Sequence, residues 1–168
     1  MKNTNLTLFI AVIGLLLSFG SLRAQSNNQT FRLLIASNNQ CLTNDHGTLT
    51  MKAKQTGKNS VAQLFFFKRT SGSKLVIASV AAPDQVLKQS GNTVVLDAWN
   101  SGGIAYEWNT LYAGFPFLAL ETDTGNRALS WTPNGGFALI TPGSALANNA
   151  DPSGNHYRFK LEKVNNTL

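Results

Sequence analysis

Six residues, Arg32-Leu33-Leu34-Ile35-Ala36-Ser37, return 42 residues later as Lys74-Leu75-Val76-Ile77-Ala78-Ser79, with basic, apolar and small positions all matched. Another 42 residues on, Pro116-Phe117-Leu118-Ala119-Leu120-Glu121 keeps the apolar pattern alone. The residues after each copy repeat as well. Cys41-Leu42, Val86-Leu87 and Ala128-Leu129 are succeeded seven or eight residues on by Leu49-x-Met51, Val94-x-Leu96 and Phe137-x-Leu139. Each unit then closes on an aromatic, in Gln63-Leu64-Phe65, Tyr106-Glu107-Trp108 and Tyr157-Arg158-Phe159. A unit of roughly forty residues cannot bury its apolar positions alone, so three units must share one core.

Within each unit the periodicity is that of strands. Runs such as FRLLIAS, TLTMKA, TVVLDAW, GFALIT and HYRFKLEK are divided by NDHG, QSGN, NSGG, PNGG and PSGN, whose Gly and Asn supply the positive φ angles of tight turns. No apolar pattern of period 3.6 and helical length occurs after the first two dozen residues. The chain is predicted to be all-β, with about four strands per unit. A propeller uses repeats of similar length but needs four or more blades, and only three units are present.

The N-terminal stretch MKNTNLTLFIAVIGLLLSFGSLRAQS has one Lys, an apolar run from Leu6 to Leu17, and then small residues. That is the layout of a signal peptide. The run is too short for a spanning helix, which needs roughly twenty apolar residues. Cleavage after Ala24 or after Gly20 fits the small-residue rule; Ala24 is preferred, giving a leader of 1–24 and one domain of 25–168. The expected location is secreted, extracellular or periplasmic. Such a compartment favours disulfides, yet Cys41 is the only cysteine, so packing must supply the stability. The leader takes Lys2 and Arg23 and no acid from a formal net charge of +6, which leaves a mildly basic domain. Its cations are scattered, with Lys52/Lys54/Lys58 and Lys68/Arg69 the densest groups, so no nucleic-acid partner is expected.

The unit pattern Cys-Leu, Leu-x-Met, Gln-x-Phe resembles the ricin-B-type β-trefoil, whose repeats carry a Cys-Leu pair, a hydrophobic hairpin and a closing Gln-x-Trp. The resemblance covers Phe31 to Lys163, with repeats at about 31–70, 73–112 and 115–163. Only Gln63-Leu64-Phe65 keeps the Gln, and only Trp108 keeps the Trp. It implies a trefoil in which Leu42, Leu87, Leu129, Leu49, Met51, Val94, Leu96, Phe137, Leu139, Phe65, Trp108 and Phe159 form a pseudo-threefold core. It further implies that Cys41 is half of a family disulfide whose partner position is Lys54, and so a small core residue here.

The same resemblance implies a carbohydrate-binding module with up to one shallow site per repeat. Each family site has an Asp after the Cys-Leu pair, an aromatic after the third strand and an Asn before the Gln-x-Trp. The Asp positions fall on Thr43, Lys88 and Ser130, the aromatic positions on Lys52, Asp97 and Ile140, and the Asn positions on Ala62, Ala105 and His156. None of the nine matches, so any sugar site is non-standard. Candidate binding residues are Asn44 and Asp45 in the first turn, with Trp131, Asn134 and His156 beside the long third-repeat segment ALANNADPSGN. Asn44, Asp45 and His46 also read simply as turn residues. Trp131 and Trp99 either cap the barrel or stand on loops as stacking platforms for a sugar.

Catalysis has little to build on: two histidines, one cysteine and eight acids, with no His-x-x-x-His, Cys-x-x-Cys or Gly-x-Ser-x-Gly. No enzyme, cofactor or metal is expected. The partner is a glycan, or, in a second reading, an extracellular protein met by a trefoil acting as a hydrolase inhibitor or adhesion module. A third reading is an acidic polymer held by Lys52, Lys54 and Lys58. The domain is expected to be a monomer with no membrane span.

Overall fold

The turn chemistry decides where the strands reverse. His46 and Gly47 take φ of 52° and 89°, both left-handed, and this two-residue primed turn joins β2 (Cys41–Asp45) to β3 (Thr48–Lys52). Asp45 lies opposite Thr48, and Leu42 opposite Met51. The computed structural model describes residues 29–36, 38–70, 74–99, 103–112, 117–122, 127–132, 136–141 and 157–164. Around the first hairpin the first repeat adds β1 (Thr30–Ile35) and β4 (Phe65–Arg69). The second repeat contains β5 (Leu75–Ser79), β6 (Gln85–Ser90), β7 (Thr93–Ala98) and β8 (Trp108–Tyr112). In the third are β9 (Phe117–Thr122), β10 (Ala128–Thr132), β11 (Gly136–Ile140) and β12 (Phe159–Val164).

The first and last strands of each repeat pair in a ring, β1 to β4, β4 to β5, β5 to β8, β8 to β9, β9 to β12 and β12 back to β1, all antiparallel. Closing the ring removes the sheet edges that would otherwise invite pairing with other chains. The hairpins β2–β3, β6–β7 and β10–β11 pack against the ring through one shared cluster. Three four-strand units around a closed six-strand barrel make a β-trefoil, the fold implied by the resemblance.

All twelve residues named for the core lie in that cluster or pack directly on it. Phe65, Trp108 and Phe159 are fully buried, one from each repeat. Burying an aromatic of this size contributes upwards of about 2 kcal/mol. Trp108 carries a polar N–H that its two equivalents lack, and the structure satisfies it: Nε1 donates to the Leu87 carbonyl at 3.1 Å.

The first-strand alignment needs correction. Phe65, Trp108 and Phe159 stand opposite Ser79, Thr122 and Ile35, so those three residues are equivalent. Leu33 therefore matches Ile77 and Leu120, all fully buried in the core, and not Leu75 and Phe117 as the 42-residue spacing implies. Side chains on a strand alternate faces, so a slip of two residues leaves the pattern unchanged; in Phe117-Leu118-Ala119-Leu120 every position is apolar, so even a slip of one leaves it unchanged.

Two polar features accompany this packing. Cys41 is a free, fully buried thiol, and burial pushes its pKa upward. Where the family places its second cysteine, Lys54 turns instead to Glu162, with Nζ at 2.8 Å from Oε2. Arg32 reaches the other oxygen of Glu162 at 3.0 Å across the β1–β12 seam. Burial raises the Glu162 pKa, but hydrogen bonds from Lys54 and Arg32, and their charges, outweigh that and hold it below the usual glutamate range. A depressed acid supplies stability that is present above its unfolded pKa and is lost as pH falls through the folded one.

Native protein is expected to resist a thiol reagent at mildly alkaline pH and to titrate one thiol after denaturation; rapid labelling of the folded chain would place Cys41 at the surface. Glu162→Gln should lower stability near neutral pH by about 1 kcal/mol, the upper end for partly exposed pairs. It should also flatten the fall in urea midpoint below about pH 4.5 that the linkage predicts for the unmodified chain.

Candidate functional site

The first repeat builds a shallow depression of about 590 Å³ between its β2–β3 hairpin, the 3-10 turn Gly57–Gln63 and the link between β5 and β6. Thr43, Lys52 and Ala62, the first-repeat counterparts of the family's Asp, aromatic and Asn, all line it. The fold thus gathers these three positions at one place, although none carries the family's residue. The floor is held by buried polar bonds. Gln63, fully buried, donates from Nε2 to the Ala53 carbonyl (2.8 Å) and to Thr43 Oγ1 (3.2 Å), while its Oε1 accepts the Gln55 N–H at 2.8 Å. Thr43 Oγ1 in turn donates a hydrogen bond to the Cys41 carbonyl at 2.9 Å.

Asn44 is also committed to the fold. Its Nδ2 donates to Ser79 Oγ at 2.9 Å and to Gln85 Oε1 at 3.1 Å, and its Oδ1 accepts the Gly47 N–H at 2.7 Å. It joins the first repeat to the second and fixes the turn, with little left for a ligand. Asp45 sits at the rim and pairs with Lys52 at 2.8 Å. The hydrogen bond from Lys52 keeps the Asp45 carboxyl below the usual range, so it stays ionised and acceptor-only.

Beyond that pair, several polar groups face the depression uncommitted. Lys58 and Asn59 are exposed on the 3-10 turn, and neither has a side-chain partner among the described residues. Gln85 Nε2 has no acceptor among them either, its Oε1 alone being engaged. Lys58 is legible in the sequence only as one of three clustered lysines, and Asn59 and Gln85 carry no signal there. The 3-10 turn is too short to show a periodicity, and its placement over the hairpin is a tertiary fact.

Elsewhere the expected residues scatter. Trp131 lies in β10 opposite Phe137, half-buried against the core, so it caps the barrel rather than standing on a loop. Trp99 is the tryptophan at the surface, 38% exposed. One approach to its ring is taken by Lys68, whose Nζ lies 5.0 Å from the ring centroid and 5.1 Å from that of Phe66. Asn134, His156 and the segment ALANNADPSGN lie outside the described residues. In the second repeat, Lys88 and Asp97 fill the family's Asp and aromatic positions and pair with each other at 2.5 Å over the Tyr106 ring. That pair occupies its own site.

The symmetry exposes one difference between repeat junctions. Ser79 and Thr122 are equivalent, and Asn44 is equivalent to Gln89. Asn44 satisfies Ser79, but Gln89 turns to the carbonyls of Ile104 and Glu107, and the buried Thr122 hydroxyl has no partner among the described residues. Among the described residues no cluster of His, Cys, Asp and Glu is suited to a metal ion, and no helix is long and apolar enough to cross a membrane.

No protein-family model and no curated protein matches the chain. Solved structures do. The designed threefold-symmetric protein ThreeFoil superposes with a TM-score of 0.62 at 13% identity, over 80% of this chain and 99% of that one. The earthworm lectin C-terminal domain mutant in complex with 6′-sialyllactose gives 0.59 at 12% identity, over 81% and 99%. Cry35Ab1 gives 0.65 at 13% identity; 86% of this chain is covered, but it spans only 38% of Cry35Ab1. At such identities the likeness establishes the β-trefoil fold.

Asn44→Ala should destabilise by about 1–3 kcal/mol in urea unfolding, because it leaves buried partners unsatisfied. Thr122→Val removes an unpaired hydroxyl at nearly constant shape and should be neutral or stabilising by about 1 kcal/mol. Equal losses in the two variants would refute the asymmetry between the junctions.

Proposed function

We propose that the chain is a secreted, non-enzymatic, glycan-binding β-trefoil whose working surface is the first-repeat depression. The observation that carries this reading is the set of uncommitted polar groups there. Asp45 offers a carboxylate oxygen, and Lys58, Asn59 and Gln85 offer donors, all above a floor whose own hydrogen bonds are complete. Sugars present closely spaced hydroxyls that both donate and accept, and a mixed set of this kind suits them. A polar, open depression also suits a ligand that stays partly hydrated. The fold is one on which an earthworm lectin holds 6′-sialyllactose, which supports a saccharide over other ligands. Secretion rests on the leader pattern of residues 1–24. The absence of any catalytic motif in the sequence supports binding without turnover.

A glycan microarray tests the reading, with hits measured by titration calorimetry. Ala81→Trp places a bulky ring at the exposed wall of the depression and should weaken the best hit by at least about tenfold; Asn59→Ala should weaken it by about threefold. Failure to bind any glycan, or full affinity in Ala81→Trp, would overturn it.

A further inference from the structure

The three cations grouped in sequence as Lys52, Lys54 and Lys58 have different fates in the fold. Lys52 is neutralised by Asp45 at 2.8 Å on the rim. Lys54 turns away to Glu162, which it shares with Arg32. Lys58 alone lines the depression with no carboxylate partner among the described residues. Asn59, next to it in the chain, and the Nε2 of Gln85, elsewhere on the same lining, are further donors without acceptors among those residues. The depression therefore carries one ammonium without a counter-charge among the described residues, together with amide groups able to donate.

A neutral sugar brings hydroxyls that donate as readily as they accept and would leave that ammonium unmatched. A ligand carrying an anionic, acceptor-only group supplies what the depression lacks. Resting on the reading of this depression as a glycan site, we propose that it takes an acidic saccharide, whose carboxylate or sulfate ester is held by Lys58 with Asn59 and Gln85 beside it. Asp45, kept ionised by Lys52, accepts hydrogen bonds from sugar hydroxyls and repels an anion placed at the wrong end, which fixes the orientation. Because the depression is open, the contribution of Lys58 is screened by salt.

The test uses the whole domain, residues 25–168, and matched probes: lactose, lactose bearing a sialic acid, and lactose bearing a sulfate ester. The unmodified protein should bind at least one acidic probe about fivefold more tightly than lactose at low salt, an advantage that shrinks between about 50 and 500 mM salt. Preference for the sialylated probe assigns a carboxylate, and preference for the sulfated one a sulfate. Lys58→Gln should weaken the acidic probe by more than it weakens lactose and so erase the advantage, and Lys58→Arg should restore it. Lys58 is exposed and its side chain has no hydrogen-bond or ion-pair partner among the described residues, so both variants should fold. Equal binding of all three probes with no effect of Lys58→Gln overturns the acidic-ligand proposal, while loss of binding in Ala81→Trp still upholds the depression as the site. If none of the three probes binds, the acidic-ligand proposal falls and the glycan reading is decided by the microarray; if Ala81→Trp changes nothing, both readings fall.

Discussion

Phe65, Trp108 and Phe159 are buried in one cluster with Leu33, Ile77 and Leu120, and no single repeat supplies enough apolar surface to enclose its own aromatic. The requirement that three units share one core has consequences throughout the molecule. It forces the six ring strands to close, because an open arrangement would leave one unit's aromatic against water and two sheet edges unpaired. It brings β1 beside β12, so that Arg32 and Glu162, 130 residues apart, form an ion pair across the seam. It also makes disulfides unnecessary. The buried thiol of Cys41 fills space that Val86 and Ala128 fill in the other repeats.

Shared packing leaves polar differences between repeats as the source of individuality. At the equivalent positions Asn44, Gln89 and Trp131, one amide links two repeats, one bonds within its own repeat, and an indole packs on the core. At Thr43 and Lys88 the contrast is sharper. Thr43 is buried beneath an open depression, whereas Lys88 is part-exposed and pairs with Asp97 over the Tyr106 ring. A scaffold of near-threefold symmetry can therefore carry a single working surface, because the core positions repeat and the rim positions do not.

Much of this was legible in the chain. The hairpin positions Leu42, Leu87 and Leu129 and their partners Met51, Leu96 and Leu139 were readable because each sits at a fixed distance from a turn, and the closing aromatics because each is the last apolar position of its unit's Gln-x-Phe-like triplet. The first strands were not, since alternation is blind to a two-residue slip and a wholly apolar run is blind to any. Trp131 and Trp99 were both readable as aromatics near a turn, but exposure depends on what packs over each ring, and that comes from other repeats. Lys54 and Lys58 looked alike for the same reason. Only the approach of Glu162 from the last strand separates them.

What the sequence by itself determined is the all-β, threefold architecture and the residues at its centre, because burial imposes a period that survives in the order of the residues. Which polar groups remain uncommitted was decided only by the tertiary structure. A hydrogen bond or ion pair depends on groups brought within about 3 Å of each other from distant parts of the chain, and spacing along the sequence carries no record of that distance.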